Sequence, residues 1–129
     1  MSARFCDGPK HAQDAGTVDK TVAEADRLIR SSAALMDADG ESYGSVMAAY
    51  RLPKDTEEQR GARSAAIAAA LITASGPAAE VIAAAARLIE LAEALQPIVN
   101  RSIAPDLAAA IEAIGAAIGM SRTNAAANL

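Results

Sequence analysis

Between residues 21 and 50 the apolar side chains Val22, Ala25, Leu28, Ile29, Leu35, Met36, Tyr43, Val46, Met47 and Tyr50 recur at steps of three, four and seven. That spacing places them on one face of an α-helix. Thr21 and Glu24 have the Thr-x-x-Glu spacing in which two side chains satisfy free backbone donors at a helix start. The pattern therefore predicts a helix from near Thr21 to about Tyr50, with Ser32 and Asp39 interrupting its apolar stripe.

Pro53 biases Leu52 away from helical geometry, and Thr56 with Gln59 repeats the capping spacing, so a second helix is predicted to open near Glu57. It carries mostly Ala and Ile until Gly76-Pro77, where Gly suits the position just past a helix and Pro the first position of the next. The third helix is expected over about Ala78 to Leu95. Pro97 and Asn100-Arg101-Ser102 then mark a loop, Pro105 can open a fourth helix, and that helix is expected to reach about Ala125.

With 129 residues, 52% of them hydrophobic, the chain suits one domain. An aromatic fraction of 2% and the absence of Trp leave the core to Ala, Leu, Ile, Val and Met, residues that suit closely packed helices. The fold class is thus all-α: an Ala-rich helical bundle of about four helices over residues 17–129, preceded by an irregular segment, 1–16. Ala-rich faces outnumber those that one small bundle can bury, so a homodimer is expected.

The 12 basic residues are scattered and the net charge is -4, which argues against a nucleic-acid partner. The opening residues contain no apolar core of a signal peptide, and Arg and Glu interrupt the Ala-rich runs. A soluble, cytoplasmic protein without a membrane partner is expected on that basis. Cys6 stands alone, which makes an incidental thiol the simpler reading, and no group of side chains has metal-ligand spacing.

Periodicity attaches no function to this bundle. The stretch Asp37 to Arg63, DADGESYGSVMAAYRLPKDTEEQRGAR, does more: two acids precede a Tyr, then come an Ala-Tyr end and a Leu-Pro-Lys turn. It resembles the signature segment of the formiminotransferase-cyclodeaminase C-terminal domain and of the methenyltetrahydrofolate cyclohydrolases. The likeness continues through the break at Pro77, the helix ending LIELAEAL, the loop NRSIAPD and the closing NAAANL, covering roughly Ala25 to Leu129. The family's Pro-Gly-Gly-Gly-Ser opening and first Ala-rich helix have no counterpart in the first sixteen residues, and Ala104-Pro105-Asp106 replaces its Ser-Asp.

The resemblance implies a folate-dependent one-carbon enzyme. It would hydrolyse 5,10-methenyltetrahydrofolate to 10-formyltetrahydrofolate, or cyclise 5-formiminotetrahydrofolate with release of ammonia. Tetrahydrofolate is the substrate in both, with no further cofactor. A rival reading is a non-catalytic helical dimer or scaffold module derived from that family.

Asp39 follows Met36 by three and precedes Tyr43 by four, so helical geometry puts a carboxylate on the apolar stripe. It either faces a site, borders a solvent-filled groove, or pairs with an arginine such as Arg122. Asp106 sits in the first turn of the fourth helix, where an acid also complements the helix dipole. The resemblance assigns Asp39 and Asp106 to acid/base or cation-stabilising work. It assigns Asp37, Tyr43, Lys54, Asn100 and Asn124 to substrate binding. Their local alternatives are an exposed charge for Asp37, a core ring for Tyr43, a turn lysine for Lys54 and a helix-end cap for Asn124.

Overall fold

The computed structural model describes residues 2–6 and 9–128, and among them there is no strand. Leu129, the last residue of the closing motif, lies outside the described residues, as do Met1, Asp7 and Gly8 of the opening segment. Four α-helices follow two short 3-10 helices at Ser2–Phe5 and Pro9–Asp14. They are α1 (Ala15–Tyr50), α2 (Glu57–Ala74), α3 (Gly76–Leu95) and α4 (Ala104–Ala127).

The first helix starts six residues earlier than the capping pattern predicts. Thr21 does not cap; it is buried within α1, and Glu24 reaches Arg27 at 2.8 Å and Arg87 of α3 at 3.5 Å. The opening segment supplies the cause. Its first 3-10 turn is not irregular chain but packing material, for Ala3 and Cys6 join Val18, Ala92, Leu95 and Leu107 in one buried cluster. Burying Val18 and Thr21 against that turn extends the helix toward the N-terminus, tertiary packing overriding the local stop signal. Cys6 is 1% exposed and acts there as a small hydrophobe.

The start of α2 matches the sequence pattern. Thr56 Oγ1 accepts from the Gln59 amide at 3.2 Å, and Gln59 Oε1 accepts from the Thr56 amide at 3.2 Å, completing the capping box. Arg63 ties the turn shut by donating to the Tyr50 carbonyl at 3.1 Å while its guanidinium lies 5.6 Å from the Tyr50 ring centre, a cation–π arrangement.

Only Ser75 separates α2 from α3. Its hydroxyl donates to the Leu71 carbonyl at 3.1 Å and its own carbonyl accepts from Ala79 at 3.1 Å, so the two helices form one nearly continuous rod. Gly76 opens α3 without a positive φ, and Pro77 sits in the first turn, where its missing N–H costs nothing. The rod and α4 are long and apolar enough to cross a membrane by length and composition, with an 18-residue window of mean hydropathy 1.6 inside Glu57–Leu95 and one of 1.2 inside Ala104–Ala127. The sequence pattern suggested interruption well short of that length. The difference arises because helix continues through Ser75 and because abundant Ala outweighs a few charges. Only 11% of each such apolar window is buried within the chain.

Topology follows from which residues meet. Thr21 of α1, Leu95 of α3 and Leu107 of α4 share one end of a trough, whereas Asp39, Ala78 and Asn124 share the other. Thus α1 and α4 run parallel, each antiparallel to α3, and both pack on α3 rather than on each other. The result is a three-helix trough with α3 as floor and α1 and α4 as walls. At 36 residues and about 1.5 Å per residue, α1 is about 54 Å long, and with α2 it projects past the end of α4.

Candidate functional site

Three hollows lie along the trough. The one nearest the opening 3-10 turn, about 150 Å³, is lined mainly by apolar side chains such as Val22, Ile29, Leu88 and Ile114. Toward the other end, a hollow of about 170 Å³ lies between Ser32, Met36 and Asp39 of α1, Pro77 and Val81 of α3, and Ser121 and Asn124 of α4. A third, about 280 Å³, adjoins it and shares Asp39 and Asn124, adding Ser42, Tyr43, Val46 and Asn128. Polar groups therefore gather at one place along an otherwise oily channel.

Helical geometry explains the gathering. Ser32, Asp39 and Val46 are seven apart and fall on one line of α1, beside the line formed by Met36 and Tyr43. Asn124 follows Ser121 by three on α4 and faces them across the α3 floor. Asp39 itself is exposed rather than buried, because no helix covers the trough. Among the described residues its carboxylate forms no ion pair, and the pairing with Arg122 is not seen. The nearby hydroxyl of Ser42 donates to the Asp39 backbone carbonyl at 2.8 Å.

Of the predicted site residues, the structure brings Asp39, Tyr43 and Asn124 together. Tyr43 is no core ring: it stands 65% exposed on the lip of the trough. Asp37 is exposed on another side of α1, about 200° around the helix from Asp39. Lys54 is exposed in the α1–α2 turn.

Asp106 and Asn100 stand apart from this group. Asp106 is exposed in the first turn of α4, and its separation of 18 residues from Asn124 amounts to about 27 Å along the helix. Within one chain it cannot share a proton-transfer site with Asp39, because α4 runs parallel to α1 and carries its first turn to the opposite end of the trough. Asn100 is committed locally: its Oδ1 accepts from the Ser102 amide at 3.3 Å and hydroxyl at 3.2 Å, shaping the loop before α4. Ser32, Ser121 and Ser42 join the hollows without having been singled out as site residues. Ser32 had left a trace as an interruption of the apolar stripe at the same phase as Asp39; Ser121 left none.

On the other side of the α1–α3 seam, Glu24 is held between two guanidinium groups. The hydrogen bond from Arg27 lowers its pKa to about 2, assisted by Arg87 and opposed by partial burial. Arg27 and Arg87 are pushed upward in turn by their carboxylate partners. This is a staple between helices, and its two arginines border a further open hollow of about 300 Å³ that Ser31 and Glu80 also line.

An Asp, a Tyr and an Asn gathered in a trough between long helices give an all-α protein one candidate site. The whole chain, residues 1–129, matches the formiminotransferase-cyclodeaminase family, and the chain belongs to it. The match takes in the opening sixteen residues as well. The chain is 28% identical over 102 residues to a methenyltetrahydrofolate cyclohydrolase of Methylorubrum extorquens, an alignment covering 79% of this chain and 49% of that protein. The chain thus spans about half the length of the curated relative it matches.

Proposed function

We propose that this chain binds a one-carbon tetrahydrofolate at the Asp39–Asn124 hollow and hydrolyses 5,10-methenyltetrahydrofolate to 10-formyltetrahydrofolate. The observation that carries the reading is the meeting of Asp39, Tyr43 and Asn124 at one point of the trough, in a chain of this family. The name of the Methylorubrum extorquens relative favours hydrolysis. The family's own name keeps ammonia-releasing cyclisation of 5-formiminotetrahydrofolate as the second reading.

Water adds to the cationic methenyl carbon while the Asp39 carboxylate accepts a proton from it. The carbon–N5 bond of the adduct then breaks, N5 takes a proton, and the formyl group stays on N10. A carboxylate beside the amidinium carbon also stabilises its positive charge. Tyr43 offers an exposed ring to the pterin and Asn124 an amide that both donates and accepts. Lys54, exposed in the α1–α2 turn, is the cation we assign to the glutamate carboxylates of the substrate. Proton transfers suffice for either reaction, so no redox or metal cofactor is invoked, and we assign the reaction to the cytoplasm.

The test is spectroscopic. Purified chain is expected to speed the loss of methenyltetrahydrofolate absorbance, and Asp39→Asn to slow turnover by about 10²- to 10⁴-fold, the range for loss of a general base. A rate equal to that of buffer, unchanged by Asp39→Asn, overturns the proposal.

A further inference from the structure

Most hydroxyls on the helices are occupied by their own backbone. Ser31, Ser32, Ser42, Ser45, Thr73 and Thr123 each donate to a carbonyl three or four residues earlier, at 2.8 to 3.2 Å, a bond that uses the donor up. Ser121 is the exception among the buried ones of the candidate site. It is 8% exposed, and among the described residues its hydroxyl is bonded to no carbonyl and no side chain. Yet no buried side-chain oxygen or nitrogen among those residues is sealed off without a partner. The Ser121 oxygen therefore touches the open space beside it, the hollow of about 170 Å³ that it shares with Asp39 and Asn124. A buried hydroxyl that opens onto a hollow keeps both its donor and its lone pairs available.

Asp39 and Asn124 line both lobes of the site and so stand at the neck between them. The lobes differ in what else they offer. The larger, about 280 Å³, has the Tyr43 ring at its edge. The smaller is backed by Pro77 and Val81 of α3 and holds two hydroxyls, of which Ser32 is already committed to the Leu28 carbonyl at 2.8 Å. Asp39, Ser121 and Asn124 remain, and an ordered water needs two to four polar partners and about 30 Å³. We infer that the Ser121 lobe is the water pocket of the site: the pterin lies against Tyr43 in the larger lobe, the methenyl carbon sits at the neck, and Ser121 positions the attacking water against Asp39. This rests on reading the Asp39–Asn124 hollow as the folate site.

The division of labour follows from what a water must do to react. One of its hydrogens points at the Asp39 carboxylate and the other at Ser121 Oγ, which turns a lone pair toward the carbon at the neck. The oxygen–carbon bond forms as the first proton passes to Asp39 and the amidinium electron pair returns to nitrogen. Asp39 then gives that proton to N5 as the carbon–N5 bond breaks. The remaining hydroxyl proton, on the Ser121 side, leaves to solvent as the formyl carbonyl forms, so each cation consumes one water and releases one proton. Cyclisation of a formimino group consumes no water, so the lobe also bears on which of the two reactions the site favours.

Steady-state kinetics on the whole chain, followed by loss of methenyltetrahydrofolate absorbance, tests this. Ser121→Ala, a change that helices tolerate, is expected to lower kcat about tenfold and to leave KM within about twofold, the loss of one hydrogen bond used after substrate has bound. Ser121→Thr and Ser121→Val place nearly the same volume in the lobe, but only Thr keeps a hydroxyl. Thr is expected within about threefold of the unsubstituted kcat and Val at least about tenfold below it. Thr123→Ala, which removes a hydroxyl bound to the Gly119 carbonyl at 3.1 Å, is the control expected to change neither constant. A Ser121 that serves packing alone would make Thr and Val equal. Equal Thr and Val rates, an unchanged kcat in Ser121→Ala, or a loss confined to KM overturns the inference. If Asp39→Asn still slows turnover in those cases, the folate site stands without its water pocket; a chain no faster than buffer overturns both.

Discussion

The two ends of the trough are built differently. At the end under the opening 3-10 turn, Cys6, Val18, Ala92, Leu95 and Leu107 form a closed cluster, and the Glu24–Arg27–Arg87 group fastens α1 to α3 beside it. At the other end Val46, Ala49, Ala74 and Ala78 are buried, and α2 buries Ala74 alone among its described residues. The polar hollow lies at this second end. Stability is concentrated where the chain closes on itself, and the candidate chemistry lies where it stays open.

Paired substitutions sharpen that contrast. Leu95→Ala empties the closed cluster, where Leu95 is 4% exposed, and is expected to cost about 2–5 kcal/mol in urea denaturation, the range for buried Leu→Ala changes. Ile72→Ala in exposed α2 should stay within about 0.5 kcal/mol at chain concentrations too low for self-association. An equal cost at both sites would erase the distinction.

Smaller effects test the open end by itself. Thr56→Ala removes the capping box and is expected to cost about 1 kcal/mol, read as a lower midpoint of helix loss by circular dichroism. Gly61→Ala adds a methyl group to a helical position with nothing within 4 Å and is expected to stabilise by about 0.5–1 kcal/mol. A destabilised Gly61→Ala would show that α2 is already covered on that side.

The smallest effect belongs to the staple. Because the Glu24 pKa is lowered to about 2 from an ordinary 4.5, its contribution is full above about pH 4.5 and vanishes as pH falls toward 2. Glu24→Gln should flatten stability across that window, and added salt should mimic it, since the group is partly exposed. A pH profile unchanged by Glu24→Gln removes the staple from the account of the closed end.

Local chemistry made much of the fold legible before any coordinates. The Thr56–Gln59 cap and the end of α3 at Leu95 depend on neighbours within a few residues, and both appear where the sequence puts them; the stop expected at Gly76-Pro77 shrinks to a one-residue junction at Ser75, with Gly76 already inside α3. The start of α1 did not, because it depends on Ala3 and Cys6 packing against Val18, a contact that periodicity does not express. The site divides in the same way. Asp39 announced itself by breaking an apolar stripe, and its meeting with Asn124 followed from the helices; Asp106 was grouped with it by resemblance alone, and only the parallel course of α1 and α4 reveals the separation.

The scarcity of aromatic rings gives the molecule a built-in reporter. With no Trp and Tyr present only at positions 43 and 50, nearly all near-ultraviolet emission comes from two exposed rings seven residues apart on α1. Quenching of that fluorescence by acrylamide monitors whether the lip of the trough is wet or covered, without a label, in the same cuvette as the absorbance assay.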